Sequence, residues 1–176
     1  MVKLLGISGS LRRESFNTKL VREAARAFGE AEFALADLNL PLFNEDVEAE
    51  GVPAPVTVLM DQIAAADAIV LCTPEYNKAP PGVLKNALDW VSRRKPMPTM
   101  GKPVAVLSAT AGLAGGERST AALYLMLVPF GVKMVFQPEV FVGRAGTKFG
   151  EDGRLSDEAT FGFVEKKMAA LREAIG

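Results

Sequence analysis

Five short apolar runs, spaced between segments of helical periodicity, set the tightest limit on how this chain can fold. They cover residues 2–8, 32–37, 68–72, 103–108 and 132–142. Most are apolar throughout rather than alternating with polar residues. A strand of that kind has both faces buried, so it must be covered on both sides. The segments between them carry one apolar stripe each. Residues 17–28 place Leu20, Val21, Ala24, Ala25 and Phe28 on one face, with Ser15 or Asn17 as a cap. Residues 55–66 do the same with Val56, Leu59, Met60 and Ile63, and residues 83–93 with Leu84, Ala87, Leu88 and Val91. An apolar helix follows the glycine-rich turn 111–116 and ends near Pro129. A last helix starts near Ser156 and turns Phe161, Val164, Met168, Leu171 and Ile175 inward. Residues 38–54 are acidic and proline-bearing and read as a surface loop. This alternation predicts an α/β domain with a parallel sheet between two helical layers. With 176 residues, no repeat and no linker, one domain over residues 1–176 is expected.

Composition removes whole classes of chemistry. There is no histidine, which excludes the usual zinc ligand, the Ser-His and Cys-His nucleophile pairs and the usual proton shuttle near neutral pH. The single cysteine, Cys72, excludes an internal disulfide and a cysteine-cluster metal site. A net charge of −1 gives no electrostatic basis for nucleic-acid binding. The basic spot Arg93-Arg94-Lys95 reads as a solvated helix end. The opening Met-Val-Lys-Leu-Leu-Gly-Ile-Ser runs straight into a strand, and no segment reaches about 20 apolar residues. A cytoplasmic protein that does not enter membranes is expected.

In open parallel sheets, ligands sit beyond the carboxyl ends of the strands. Three loops fall there. The first, 9–18, joins a strand to a helix and holds Ser10, Arg12, Ser15, Phe16, Asn17 and Thr18. Free backbone N–H groups, hydroxyls and a guanidinium suit a phosphate monoester. The same residues also suit plain helix capping with exposed arginines, and both readings stay open. The loop lacks the dinucleotide fingerprint, because Gly6, Ser8 and Leu11 stand where three glycines are needed, and it lacks a Gly-Lys-Ser/Thr phosphate loop.

The second loop, 73–82, contains Pro74, Glu75, Tyr76 and Asn77 and is stiffened by three prolines. A stiff backbone presents donors and acceptors in a fixed array, which suits the edge of a planar heterocycle; a rigid turn with one surface tyrosine is the plainer reading. The third, 108–118, starts at Ser108 and includes Gly112, Gly115 and Gly116, small enough for a flat ligand to approach the backbone. Alone it reads equally as a flexible connector. Elsewhere the simple readings prevail. Cys72 is a small core residue, and Trp90 and the methionines are core or interface. Glu75 and Asp89 do not form an acid pair. Asp37, after the second strand, is a weak candidate for a ribose hydroxyl.

Taken together, Gly9-Ser10-Leu11-Arg12 with Ser15 and Asn17, then Pro74-Glu75-Tyr76-Asn77, then Pro81-Gly82-Val83-Leu84-Lys85-Asn86-Ala87-Leu88-Asp89-Trp90, resemble the NADPH-dependent FMN reductase family, which includes soluble chromate, quinone and azo-dye reductases. The likeness runs over nearly the whole chain. It implies a flavodoxin-like three-layer α/β sandwich with a five-stranded parallel sheet in the order 2-1-3-4-5, and noncovalent FMN. It implies an FMN phosphate on Ser10, Arg12, Phe16, Asn17 and Thr18, with Ser15 among the cofactor-binding residues. Pro74, Glu75, Tyr76 and Asn77 would line the isoalloxazine, and Ser108, Gly112, Gly115 and Gly116 would complete the pocket. No metal and no catalytic side chain are implied.

The implied activity is ping-pong, two-electron transfer from NADPH or NADH through FMN to quinone, azo, metal-oxyanion or flavin acceptors. A flavodoxin-type electron carrier is the alternative, and a nucleotide-binding α/β domain without flavin is a second. Neither the acceptor nor the choice of NADPH over NADH is readable, although Arg12 and Arg13 are candidates for a 2′-phosphate. The resemblance also implies a homodimer or a homotetramer, with the helix after the second loop between subunits; Trp90 and residues 121–128 suit such burial. In chromate-reducing relatives an Arg, a Tyr and a Glu link dimers. Arg118 and Glu139 match, but Ala121 stands at the tyrosine's place, which weakens the implication of a tetramer.

Overall fold

A computed structural model describes all residues, 1–176. The apolar runs form β1 (Lys3–Ser8), β2 (Glu32–Ala36), β3 (Ala68–Thr73), β4 (Pro103–Ala109), β5 (Lys133–Val135) and β6 (Phe141–Val142). Every pairing is parallel, and the order is β2-β1-β3-β4-β5, with β6 beside β4. The helices are α1 (Phe16–Phe28), α2 (Glu45–Glu50), α3 (Ala54–Ala65), α4 (Gly82–Val91), α5 (Glu117–Leu127) and α6 (Glu158–Glu173). No helix is long and apolar enough to cross a membrane.

Strand alternation sorts the core into two layers. Leu4, Val70, Cys72, Ala105 and Leu107 face α1 and α6, packing on Leu20, Ala24, Val164 and Met168. Their neighbours Leu5, Ile7, Ile69, Leu71, Val104 and Val106 face α3, α4 and α5 through Leu59, Ile63, Leu84, Leu88 and Leu123. Each fully buried aliphatic side chain contributes about 1.5–3 kcal/mol, so the central strands cannot slip by one residue without exchanging both layers. The flavodoxin-like sandwich expected from the sequence is therefore the observed fold.

Three local expectations need correction. Residues 38–54 are not all loop. Asn44 caps the short helix α2 by accepting from Asp46 N–H, and acidic residues fill its first turn. It buries no residue, so no apolar stripe could signal it. The strand expected over 132–142 is split. Pro138 has no N–H to give a ladder, and the chain leaves the sheet between β5 and β6, which pair with opposite ends of β4. Trp90 is wholly buried within its own chain, not at a subunit surface. Its indole donates to Pro41 C=O at 2.8 Å and its ring meets Phe43 edge-on at 5.0 Å. Asn86 adds two bonds to the same stretch, accepting from Phe43 N–H and donating to Pro41 C=O. Together they pin residues 41–43 against α4.

The gap between β5 and β6 is closed by a buried lysine. Lys167 lies on the inward face of α6 with no exposed surface, and its ammonium donates to the carbonyls of Val135 and Phe136 at 2.6 and 2.7 Å. These are the groups left open where β5 ends. Burial lowers its pKa to about 8, against the opposing pull of Glu139, where an ordinary lysine titrates near 10.5. Between those values the unfolded chain binds more protons than the folded one, so stability rises with pH across that window. Lys167→Met is expected to remove that rise, on the order of 2 kcal/mol, seen by comparing urea midpoints near pH 8 and pH 10. An identical rise in both proteins would refute the assignment.

Candidate functional site

β1, β3 and β4 are neighbours, so the loops that follow them meet at one edge of the sheet. The first two loops touch directly. Gly9 N–H donates to Cys72 C=O at 2.8 Å. A Cβ on Gly9 would lie tight against Pro74 at 3.2 Å and Pro81 at 3.3 Å, so a side chain there would push the two loops apart by a few tenths of an ångström. Cys72 is fully buried and burial pushes its thiol pKa well up, which leaves it unreactive.

The first loop is held by its caps. Ser15 Oγ accepts from the N–H groups of Asn17 and Thr18 and starts α1. Asn17 then turns inward. Its amide nitrogen donates to Ala109 C=O at 2.9 Å, and its amide oxygen accepts from Ala109 N–H at 3.0 Å. This two-way bond ties the start of α1 to the end of β4, 92 residues away. Thr18 points elsewhere, donating to Ser8 Oγ at 2.8 Å.

The second loop carries a tight turn. Tyr76 and Ala79 exchange backbone bonds of 3.0 and 3.1 Å, and Asn77 and Lys78 take φ values of 53° and 67°. Asparagine tolerates that left-handed backbone better than most residues. Glu75 does not reach into open space: its carboxylate accepts from Ser119 N–H at 3.2 Å, at the N-terminus of α5, where an anion suits the helix dipole. Ser119 Oγ in turn donates to Pro74 C=O at 2.8 Å.

In the third loop Gly116 has φ 93°, and a Cβ there would lie 2.0 Å from Ser108 Oγ. Ser108 is itself buried and donates to Thr73 C=O at 2.5 Å. Gly115 presses on the backbone of Phe141.

Between the loops lies an open cleft of about 220 Å³. Ser10, Arg12, Ser15, Phe16 and Asn17 line one end, and Pro74, Glu75 and Tyr76 one side. Ala109, Thr110 and Ala111 form the other side. Eight of the residues picked out from the sequence thus come together. Thr18, Asn77, Ser108, Gly112, Gly115 and Gly116 are not on the cleft wall; Thr18, Ser108, Gly115 and Gly116 shape it from behind. The lining role of Ala109, Thr110 and Ala111 was missed. Their only signal is small size directly at a strand end, ahead of the more conspicuous glycines. The backbone N–H groups of Phe16, Glu75 and Ala111 have no acceptor within the chain and stand at this wall. Such a set of donors from three loops, with a guanidinium and small side chains also on the lining, matches a ligand with an anionic tail and a flat head bearing acceptors.

The sequence profile described as NADPH-dependent FMN reductase matches residues 2–147. The chain belongs to the NADPH-dependent FMN reductase family. This flavin reductase relative is 42% identical over 173 residues to an NAD(P)H-dependent FMN reductase of Pseudomonas aeruginosa, a match spanning 97% of this chain and 94% of that protein. It is 35% identical over 179 residues to a quinone reductase of Escherichia coli, covering 99% of this chain and 95% of that one. Among solved structures, the flavoenzyme NAD(P)H:(acceptor) oxidoreductase FerB of Paracoccus denitrificans superposes with a TM-score of 0.90 at 33% identity, covering 99% of this chain and 97% of that one.

Because the cleft of this family member depends on the Asn17 bridge, Asn17→Ala is expected to lower stability by roughly 2–4 kcal/mol, leaving two buried backbone groups unpaired. The change in urea midpoint measures it. A shift under about 0.5 kcal/mol, the range of an ordinary surface substitution, would show that the bridge carries little.

Proposed function

We propose that the cleft between the three loops binds FMN and that the protein works as an NAD(P)H oxidoreductase on quinones. The single observation that carries the placement is the convergence of residues from three loops around one cleft, each loop bringing a backbone N–H without an acceptor in the chain. In this reading Ser10, Arg12, Ser15 and the Phe16 N–H hold the phosphate at the positive end of α1. Pro74, Glu75 and Tyr76 lie along one side of the ring, and Ala109, Thr110 and Ala111 along the other. Asn17 binds at one remove, by holding the two ends of the cleft at a set distance.

Bound FMN supplies two-electron transfer between a nicotinamide donor and an acceptor. The chain itself supplies position. Glu75 is committed to the N-terminus of α5 and is no free base. Tyr76 is half exposed at the rim, where it flanks the ring while leaving the cleft open to solvent on the donor and acceptor side. Backbone donors beside the ring favour negative charge at its edge without having to reorganise. Family membership and the named activities of the Pseudomonas and Escherichia relatives support reduction of quinones through FMN. They disfavour a flavodoxin-type carrier.

A homodimer fits the outer face of α5. Leu125 on α5 and Val128 just after it are 76% and 74% exposed, and Phe136, also exposed, meets Tyr124 of the same helix edge-on at 5.2 Å; exposed apolar residues of this kind favour a cover. A cytoplasmic place of action fits the dependence on NAD(P)H.

The purified protein is expected to show flavin absorption that bleaches on anaerobic addition of NADPH or NADH and returns on addition of a quinone. A flavin spectrum that neither nucleotide bleaches would mark an electron carrier instead. Arg12→Ala is expected to weaken FMN binding about 10-fold or more, the loss of one charge-assisted phosphate contact, read by fluorescence titration of the apoprotein. Unchanged affinity would remove Arg12 from the phosphate site.

A further inference from the structure

A groove of about 470 Å³, more than twice the volume of the cleft, runs along the outer face of α1. One wall is the helix, and the other is the turn that ends at Arg154, closed by Gly153 N–H on Gly150 C=O at 3.0 Å. Ser15 lies on both spaces, so the groove begins where the cleft ends. No hydrophobic residue lines it. Five of its eleven lining residues are basic, in a chain whose net charge is −1.

One buried carboxylate ties the two walls together. Glu23 is 4% exposed and accepts from Leu155 N–H at 3.1 Å, which fixes the turn to the helix. It also accepts twice from the Arg26 guanidinium, at 3.1 and 2.6 Å, and that guanidinium lies 3.9 Å from the centre of the Phe161 ring. Arg26 is therefore a cation set in place at one end of the groove. Lys19 is steadied by Glu14 at 3.2 Å.

Arg13, Arg22 and Arg154 are not spent in this way. None of the three forms an ion pair. Arg154 enters the turn only through its backbone N–H, which donates to Asp152 at 3.0 Å. Asp152 is the one carboxylate of the groove that no cation pairs with. Three free guanidinium groups thus face one free carboxylate, and the groove carries a surplus of positive charge that the chain does not offset.

The spacing says what kind of anion fits. Lys19, Arg22 and Arg26 are three and four positions apart and share one face of α1, so their row rises about 10 Å along the helix. Arg154 comes from the opposite wall and Arg13 from the end next to the cleft. A single phosphate meets part of such a row, whereas a chain of phosphates spans it. Guanidinium forks match phosphate oxygens two at a time. A nucleobase would find no apolar surface to lie on. We propose that this groove binds a condensed phosphate chain without a base, gripped by Arg22 and Arg154 from its two walls, and that it is a site separate from the cleft.

The test is calorimetric titration of tripolyphosphate, pyrophosphate, orthophosphate, ADP and a hexaglutamate peptide, in magnesium-free buffer of low ionic strength, into the protein with FMN added. Tripolyphosphate is expected to bind about 10-fold or more tighter than orthophosphate, and ADP no tighter than pyrophosphate. Arg22→Ala and Arg154→Ala should each weaken tripolyphosphate about 5-fold, the effect of one exposed charge, and the double variant about 20-fold. Arg118→Ala, which removes an exposed arginine of α5 that makes no ion pair, should leave the affinity as it was. Arg12→Ala should do the same, because Arg12 lines the cleft and not the groove; this arm separates the two sites even if the protein takes up no FMN. Failure of tripolyphosphate to bind, orthophosphate or hexaglutamate binding as tightly, ADP binding tighter than pyrophosphate, or a loss in Arg118→Ala or Arg12→Ala as large as in Arg22→Ala would overturn the proposal.

Discussion

A single buried amide sets the geometry of the carboxyl edge of this sheet. Asn17 is 2% exposed and bonds both backbone groups of Ala109. Parallel strands leave such groups open where pairing stops, and a buried backbone group without a partner costs roughly 1–3 kcal/mol. The asparagine satisfies two of them at once and, in doing so, fixes the distance between the start of α1 and the end of β4. The remaining contacts follow from that distance. Gly9 packs against Pro74 and Pro81. Ser119 and Glu75 bolt the second loop to α5. Ser108 and Gly116 fit together with no room for a methyl group.

The consequence is a cleft whose polar side chains are largely committed elsewhere. Side chains with obvious chemistry are used to hold loops: Glu75 caps a helix, Asn17 brackets a strand and Thr18 serves Ser8. A chain without histidine has little acid–base chemistry of its own to offer near neutral pH. It can offer a rigid frame that presents donors where a cofactor's charge changes, and this demands no side-chain rearrangement during turnover.

The same economy of side chains appears on both faces of the sheet. Trp90 and Asn86 hold residues 41–43 in place, and Lys167 closes the break between β5 and β6. Long polar side chains here replace strand pairing wherever a proline or a chain reversal interrupts it. No large apolar side chain of α4 is left exposed, its tryptophan being used internally, whereas Leu125 on α5 and Val128 just after it are open to solvent.

The sheet, its helices and two of the three loops were legible in the sequence, because unbroken apolar runs and amphipathic stripes report burial directly, and because Pro74 to Asn77 and Gly9 to Arg12 form local patterns. Local pattern could not report long-range polar pairing. An asparagine near a helix start reads as a cap, and only the fold shows that Ser15 caps while Asn17 reaches across to Ala109. A lysine in the last helix reads as solvated, yet Lys167 is buried because two carbonyls wait opposite it. A tryptophan in an apolar stripe shows that it needs cover without saying from where. By itself the sequence determined the layer each residue belongs to, since burial follows from a residue's own hydrophobicity and spacing. Tertiary structure decided which polar group meets which, since a hydrogen bond needs a partner within about 3 Å, and that partner can lie anywhere along the chain.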